Sequence, residues 1–326
     1  MAVHRTTTSK INLAFAKDVD EGLSKAFKTL PSRYFYDLRG DKIFQEIMHM
    51  PEYYLTNCEY EIFMHRAGDL LRALQMNGDG FDLVEFGAGD GYKTRVLIKE
   101  LLREGADFRY VPIDISGDVL AALKWELKRD FPDLEVETLH AEYFTALQNL
   151  REQSDRPKLV LFIGSSIGNF PEERTKAFLA ALYEKLNAGD QVLLGYDLRK
   201  NPHVILQAYN DAAGITKRFN MNLLQRINRE LGANFDLGRF THYASYDPQS
   251  GFARSYLVSL QSQEVSIKAL DKYFHFAEGE CIHTEISRKY TVGQMVAFVE
   301  EAGFRLKEHF YDRRTYFVDT LIEKAP

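Results

Sequence analysis

Cysteine is the first scarcity: the 326 residues hold two, Cys58 and Cys281, most of the chain apart. Neither lies in a Cys-x-x-Cys or a ligand-spaced Cys/His cluster, which excludes a zinc ribbon and a disulfide-stapled scaffold. Two reduced thiols in a reducing compartment are expected. Nor is there a run of about 18 to 20 apolar residues, the length a membrane-spanning helix requires. The start, MAVHRTTTSKINLAF, has no apolar core of signal-peptide length. A cytoplasmic protein with no membrane partner is expected. Basic charge is also in short supply, with Lys and Arg at 41 against 47 Asp and Glu, a net charge of -6. That balance argues against a nucleic-acid partner and suits a cationic or zwitterionic small molecule. The nine histidines show no metal-ligand spacing, so no metal is expected. Internal repeats and low-complexity segments are missing too.

What is present is an alternation of strand and helix patterns over residues 80–200. FDLVEF (81–86), YVPIDIS (110–116), a run within EVETLHAEYF, KLVLFIG (158–164) and QVLLGYDL (191–198) have the apolar character of strands in a parallel sheet. Between them lie helical patterns at 93–104 and 118–131 and in EERTKAFLAALYEKL; in the first, Val96, Leu97, Ile98, Leu101 and Leu102 form a broad apolar face. The alternation returns at the C-terminus, where a helix over 291–304 is flanked by FRLKEHFYD and RTYFVDTLIE, two β runs that form a hairpin. The fold class expected is α/β: a Rossmann-like, mostly parallel sheet ending in an antiparallel hairpin, plus a second α+β lobe. The sheet domain is assigned to 76–200 and 287–326, and a discontinuous substrate-binding lobe to 1–75 and 201–286. In that lobe QAYNDAAGITKRFNMNLLQRINREL is helix-like and HYASYDPQSGFARSYLVSLQ is β-like around a Pro/Gly turn. Ligand is expected between the lobes.

The sharpest motif is Glu85-Phe86-Gly87-Ala88-Gly89-Asp90-Gly91, between a strand and a helix. Glycines there let the backbone turn tightly and approach a ligand, and the helix that follows offers unpaired N–H groups. A dinucleotide fingerprint, GxGxxG, requires a third glycine where this chain has Tyr92. Glu85, just before the first glycine, repels a pyrophosphate but suits the positive sulfonium and amine of S-adenosylmethionine. Asp114, at the end of the next strand, is placed to accept ribose hydroxyls in either kind of cofactor. Glu142 and Tyr143, after the third strand, are placed to meet an adenine, and an ordinary strand-end loop explains them equally well. The hairpin and the motif together favour a class I methyltransferase over a nicotinamide oxidoreductase.

Further segments stand outside the cofactor strands: Tyr34-Phe35-Tyr36-Asp37-Leu38-Arg39-Gly40, Met50-Pro51-Glu52-Tyr53-Tyr54, Gly164-Ser165-Ser166-Ile167-Gly168-Asn169-Phe170, Ala208-Tyr209-Asn210, Phe219-Asn220, Asn228-Arg229-Glu230 and Thr284-Glu285-Ile286-Ser287. Their order and spacing resemble the histidine-specific methyltransferase family, whose ergothioneine-pathway members make the trimethylated betaine hercynine. The resemblance runs from about residue 30 to the C-terminus. It implies transfer of methyl groups from S-adenosylmethionine to the α-amine of L-histidine. It assigns Tyr53, Glu285 and Ser287 to the imidazole ring, and Asn169 and Tyr209 to the substrate carboxylate and amine. Tyr36 and Phe219 become aromatic walls near the reacting nitrogen, with Tyr36 the catalytic candidate. Glu85, Gly87, Gly89, Lys93, Asp114, Glu142 and Tyr143 fall to the cofactor.

Those residue types suit the chemistry. In-line displacement at a sulfonium depends on alignment, needs no metal, and leaves a quaternary cation that aromatic faces hold without a hydrogen bond. Each also has a structural explanation: Asn169 as a helix cap, Glu285 as a solvated strand residue, Tyr36 and Phe219 as core rings. One position departs from the family, Ser255 standing where a larger apolar residue is usual, which leaves open another amino acid or a histidine derivative as substrate. The residues also leave room for a nicotinamide oxidoreductase or a non-catalytic nucleotide sensor. A monomer acting on a small amino acid is expected.

Overall fold

The computed structural model describes residues 12–74 and 80–325. These fall into two compact units, one of residues 12–53 and 201–287, the other of 54–200 and 288–325. The helices are α1 (Leu13–Leu23), α2 (Leu38–Met48), α3 (Tyr54–Leu74), α4 (Thr94–Arg103), α5 (Gly117–Asp130), α6 (Tyr143–Gln153), α7 (Glu172–Lys185), α8 (Pro202–Tyr209), α9 (Ile215–Leu231) and α10 (Val292–Glu301). The strands are β1 (Phe81–Phe86), β2 (Phe108–Asp114), β3 (Glu135–Val136), β4 (Leu139–His140), β5 (Lys158–Phe162), β6 (Gln191–Asp197), β7 (Phe240–Asp247), β8 (Phe252–Ser259), β9 (Gln263–Ile267), β10 (Lys272–Phe276), β11 (Cys281–Arg288), β12 (Phe304–Tyr311) and β13 (Phe317–Lys324).

The larger unit is built on the sheet β12-β13-β6-β5-β1-β2-β3, with β4 also paired to β2. Pairing is parallel from β6 through β5, β1 and β2 to β3 and β4, and antiparallel where β13 joins β6 and β12. Every residue of β1, β5 and β6 is buried. A strand covered on both faces must be apolar on both, so these segments read as runs rather than alternations. The sheet and its terminal hairpin are those read from the sequence; the third strand is shorter, two residues at β3 and two at β4. The chain order reverses between β5 and β1, and in open α/β sheets ligands bind beyond the carboxyl ends of the strands at such a switch point.

Helix α3 lies within this unit, so the boundary drawn near residue 75 falls instead between Tyr53 and Tyr54. Its buried residues Leu55, Cys58, Glu59, Ile62, Phe63, Ala67, Leu70 and Leu74 recur at helical spacing, and the helix packs on α4, β6 and the β12–β13 hairpin.

The second unit combines α1, α2, α8 and α9 with the sheet β11-β8-β7 and the hairpin β9–β10. Burial along β8 alternates residue by residue, the mark of a sheet with one face on a core. The helical pattern over 207–231 is interrupted. Gly214 turns left-handed at φ 71°, and Asp211 accepts the Ile215 and Thr216 amides at 2.7 and 2.8 Å, starting α9 afresh. Among the described residues no helix is long and apolar enough to cross a membrane.

Candidate active site

The glycine turn leaves β1 with three left-handed residues, Gly87 (φ 69°), Gly89 (φ 55°) and Gly91 (φ 65°). A Cβ on Gly87 would lie 2.7 Å from the Tyr143 hydroxyl, and one on Gly91 2.6 Å from Leu123, whereas beyond Gly89 the space is open. The turn thus presents bare backbone to a ligand. Asp114 accepts the Ser116 amide at 2.9 Å and faces the Gly89 amide at 3.5 Å, tying the end of β2 to the turn. Tyr143 stacks flat on Phe86, centroids 4.8 Å apart. Burial first, then the charges of Asp114, Glu142 and Glu85, push its phenol up to about 12. Glu142 is the N-cap residue of α6 and makes no side-chain cap bond.

Glu85 does not face the turn's open side. It is buried, accepting from Thr94 at 2.7 Å and from the Tyr110 hydroxyl. Burial pushes its carboxyl up to about 7, although both hydrogen bonds pull the other way. Rather than meeting a cationic ligand directly, Glu85 ties β1 to β2 and to the start of α4 from within.

Lys93 heads α4 and is paired with Glu59 of α3. Asn169 ends a short 3-10 turn after β5 and is exposed; α7 has Pro171 at its N-cap with no side-chain bond, so Asn169 is not its cap. At the end of β6, Asp197 is fully buried between Lys289 at 2.9 Å and Lys200, and accepts the Tyr54 hydroxyl at 2.7 Å. Burial alone would raise its pKa; the two ammonium groups outweigh that and hold it below the usual carboxylate range.

In the second unit, aromatic rings converge from α2, α8, α9 and the loops on either side of α2. Tyr36 meets Phe44 and Phe219 edge-on at 5.5 and 5.6 Å, Phe44 meets Tyr53 at 6.4 Å, and Tyr53 meets Tyr209 at 6.4 Å. Edge-to-face contacts at these distances are favourable beyond their burial. The Tyr209 hydroxyl donates to Ser287 at 2.8 Å. The Tyr36 phenol is pushed well above its ordinary pKa by burial, then by the charge of Glu285, although the residue as a whole keeps 43% of its surface exposed. Phe219, 3% exposed, is a core ring behind Tyr36 and Phe44 rather than an open wall. Arg226 donates to the carbonyls of Tyr34 and Tyr36 at 3.0 and 3.1 Å and so fixes the loop that carries Tyr36.

Residues 15–324 match the family described as "Histidine-specific methyltransferase, SAM-dependent". The chain belongs to that family. The histidine N-alpha-methyltransferase of Mycolicibacterium smegmatis is 37% identical over 298 residues, 90% of this chain and 89% of the relative. That of Mycobacterium tuberculosis is 35% identical over 292 residues, again 90% and 89%. Ergothioneine biosynthesis protein 1 of Schizosaccharomyces pombe is 28% identical over 283 residues, 85% of this chain and 36% of that one.

Membership in the histidine-specific methyltransferases makes S-adenosylmethionine the methyl donor and sets the nicotinamide reading aside. The residues present fit that cofactor. The turn is open beyond Gly89, an acid stands at the end of β2, and one lysine stands beside the turn for a ligand whose single anionic group is a carboxylate. Of the residues singled out in the sequence, Tyr36, Tyr53, Tyr209, Phe219, Glu285 and Ser287 share one unit; Glu85, Gly87, Gly89, Lys93, Asp114, Glu142, Tyr143 and Asn169 share the other. Sequence reasoning missed Phe44, the ring common to Tyr36, Tyr53 and Phe219, and the buried acids Glu59 and Asp197. The two acids carry a usable signal, a charge inside an otherwise apolar stripe or strand; Phe44 carries none.

Proposed function

We propose that this methyltransferase moves methyl groups from S-adenosylmethionine to the α-amine of L-histidine, through to the trimethylated betaine hercynine, as a step of ergothioneine biosynthesis. One observation carries the reading. Tyr36, Tyr53, Tyr209, Glu285 and Ser287, which come from separate stretches and all fall to histidine by resemblance, interact within one cluster. The match to histidine N-alpha-methyltransferases over nine tenths of the chain supports it.

When bound, S-adenosylmethionine supplies an electrophilic methyl on its sulfonium. Gly87 and Gly89 admit it to the backbone, Asp114 accepts ribose hydroxyls, Glu142 and Tyr143 border the adenine, and Lys93 takes the carboxylate. Glu85 serves by holding the turn in shape. On the substrate side, Glu285 pairs with an imidazole N–H, with Ser287 and Tyr53 beside it, while Tyr209 serves the amino-acid end. A site that reads hydrogen bonds rejects analogues lacking them far better than one that reads shape. The Tyr36 phenol, kept protonated at neutral pH, is not a general base; it passes on the amine's proton only in exchange for its own. Its ring, backed by Phe44 and Phe219, faces the growing cation, a contact worth about 0.5–2 kcal/mol.

Mass spectrometry of the protein incubated with S-adenosylmethionine and the twenty amino acids tests the proposal. Histidine carrying one, two and then three added methyl groups is the expected result. Binding of S-adenosylhomocysteine with no methylated product would overturn the histidine reading in favour of a sensor. Another amino acid as substrate has one observation in its favour. Ser255 is buried beside Thr284, whose hydroxyl lies 3.0 Å from the Ser255 carbonyl, so a small side chain stands next to the strand that bears Glu285. A product from a different amino acid in the same incubation would establish that reading. The proposal includes action as a monomer in the cytoplasm; light scattering on the purified protein tests the first part.

A further inference from the structure

Behind Lys93 lies a buried acid pair. Glu59, on the sheet-facing stripe of α3, is wholly inaccessible; one carboxylate oxygen accepts the Gly164 amide at 2.7 Å and the other is paired with the Lys93 ammonium. Asp319 of β13 is equally buried and faces Glu59. Both carboxyl groups sit over Gly195 of β6, where a Cβ would collide with Glu59 and lie 2.7 Å from Asp319. Gly164 leaves room for the ammonium too, since a Cβ there would fall 3.2 Å from the Lys93 nitrogen.

The backbone amide that anchors Glu59 follows β5, and the lysine it holds follows β1. These two strands flank the point where the chain order reverses, and the lysine lies just past the glycine turn. A buried carboxylate is costly unless both its oxygens are satisfied, and here they are, one by an amide and one by a cation. A lysine on its flexible stem otherwise samples many rotamers; fastening one side of the ammonium leaves its other hydrogens in a defined direction.

We propose that Glu59 is a positioning residue for cofactor capture: anchored on the Gly164 amide, it aims the Lys93 ammonium at the carboxylate of S-adenosylmethionine. The inference rests on the assignment of Lys93 to the cofactor and is independent of the amino-acid substrate. Asp319 completes the arrangement. Burial, then the charge of Glu59, pushes its carboxyl well above the usual range, while the Lys93 ammonium pulls the other way.

Titration calorimetry of the full chain separates a positioning role from a structural one. The probes are S-adenosylhomocysteine, which has the carboxylate, and 5′-methylthioadenosine, which lacks the whole amino-acid arm. Glu59→Gln is expected to weaken S-adenosylhomocysteine roughly ten- to hundredfold, the range for loss of a hydrogen bond to a charged group, and methylthioadenosine by no more than about twofold. Equal weakening of both ligands would overturn the proposal, because Glu59 would then act through the fold; no weakening of either would overturn it as well. Glu59→Asp keeps the buried charge but withdraws it by one methylene. It is expected to show the same selective loss in smaller degree, and it carries the test if the glutamine variant does not fold. If the unaltered protein failed to bind S-adenosylhomocysteine, the cofactor reading itself would fall.

Discussion

The carboxyl edge of the parallel sheet and the aromatic cluster of the other unit solve different problems with different materials. At the sheet edge, charges are buried in fixed partnerships: Glu85 with Tyr110 and Thr94, Glu59 with Lys93, Asp197 with Lys289 and Lys200. Each acid holds two or more elements together, so the geometry presented to the cofactor is inseparable from the stability of the sheet. In the cluster, rings meet edge-on at 5.5–6.4 Å beside the hydroxyl-to-hydroxyl bond of Tyr209 and Ser287. Contacts of that kind are individually small, and losing one changes what is recognised more than whether the chain folds. The first region should therefore fail by unfolding and the second by loss of discrimination.

The largest expected effect is at Asp197. Replacing it by Asn removes the carboxylate that faces the wholly buried Lys289 ammonium at 2.9 Å, a change worth about 3–5 kcal/mol. Denaturant unfolding of Asp197→Asn should show a loss of that size. A stable variant that bound histidine poorly would break the comparison, because it would make this ionic knot a recognition device.

Next is a pH dependence carried by Glu85. Its folded carboxyl is raised from an ordinary 4.5 to about 7, so the folded state holds the proton more tightly than the unfolded chain. The stability it contributes is complete below pH 4.5 and is lost as pH rises through 7, on the order of 3 kcal/mol in all at about 1.4 kcal/mol per unit. Glu85→Gln should flatten the stability profile across that window in denaturant titrations. An unchanged profile would mean the carboxyl ionises without cost, contrary to its burial.

The two regions are also unequally legible in the sequence. Phe81–Phe86 and the glycines after it declare themselves because strand, turn and helix start are contiguous and each residue type has a local physical reason. The terminal hairpin is legible for the same reason. Glu85 is read at the right place in the chain but facing the wrong way, because its partners Tyr110 and Thr94 are fixed by strand pairing and helix packing and not by the motif. Helix α3 falls to the wrong unit, since an amphipathic stripe says that a helix is covered but not by what. The cluster is visible only through family resemblance. Tyr36, Tyr53, Tyr209, Glu285 and Ser287 span most of the chain, and no spacing rule joins them. Phe44, which joins three of the rings, sits in an ordinary amphipathic helix and looks like any other core residue.

The smallest expected effect sharpens the comparison most. Tyr209→Phe removes one hydroxyl and with it the 2.8 Å bond to Ser287, while keeping the ring against Tyr53. A neutral hydrogen bond is worth about 0.5–1.5 kcal/mol net, so histidine affinity should fall about two- to tenfold. Affinity for S-adenosylhomocysteine and the unfolding midpoint should stay put. Ser287→Ala breaks the same bond from the other side, and because Tyr209 and Ser287 act as one unit, the double variant should lose less than the sum of the two single changes. Calorimetric titration of histidine into the four proteins gives that coupling directly. Strict additivity would mean that the two hydroxyls act on the ligand independently, and a collapse in stability would mean that the cluster, like the sheet edge, is held together by its polar bonds.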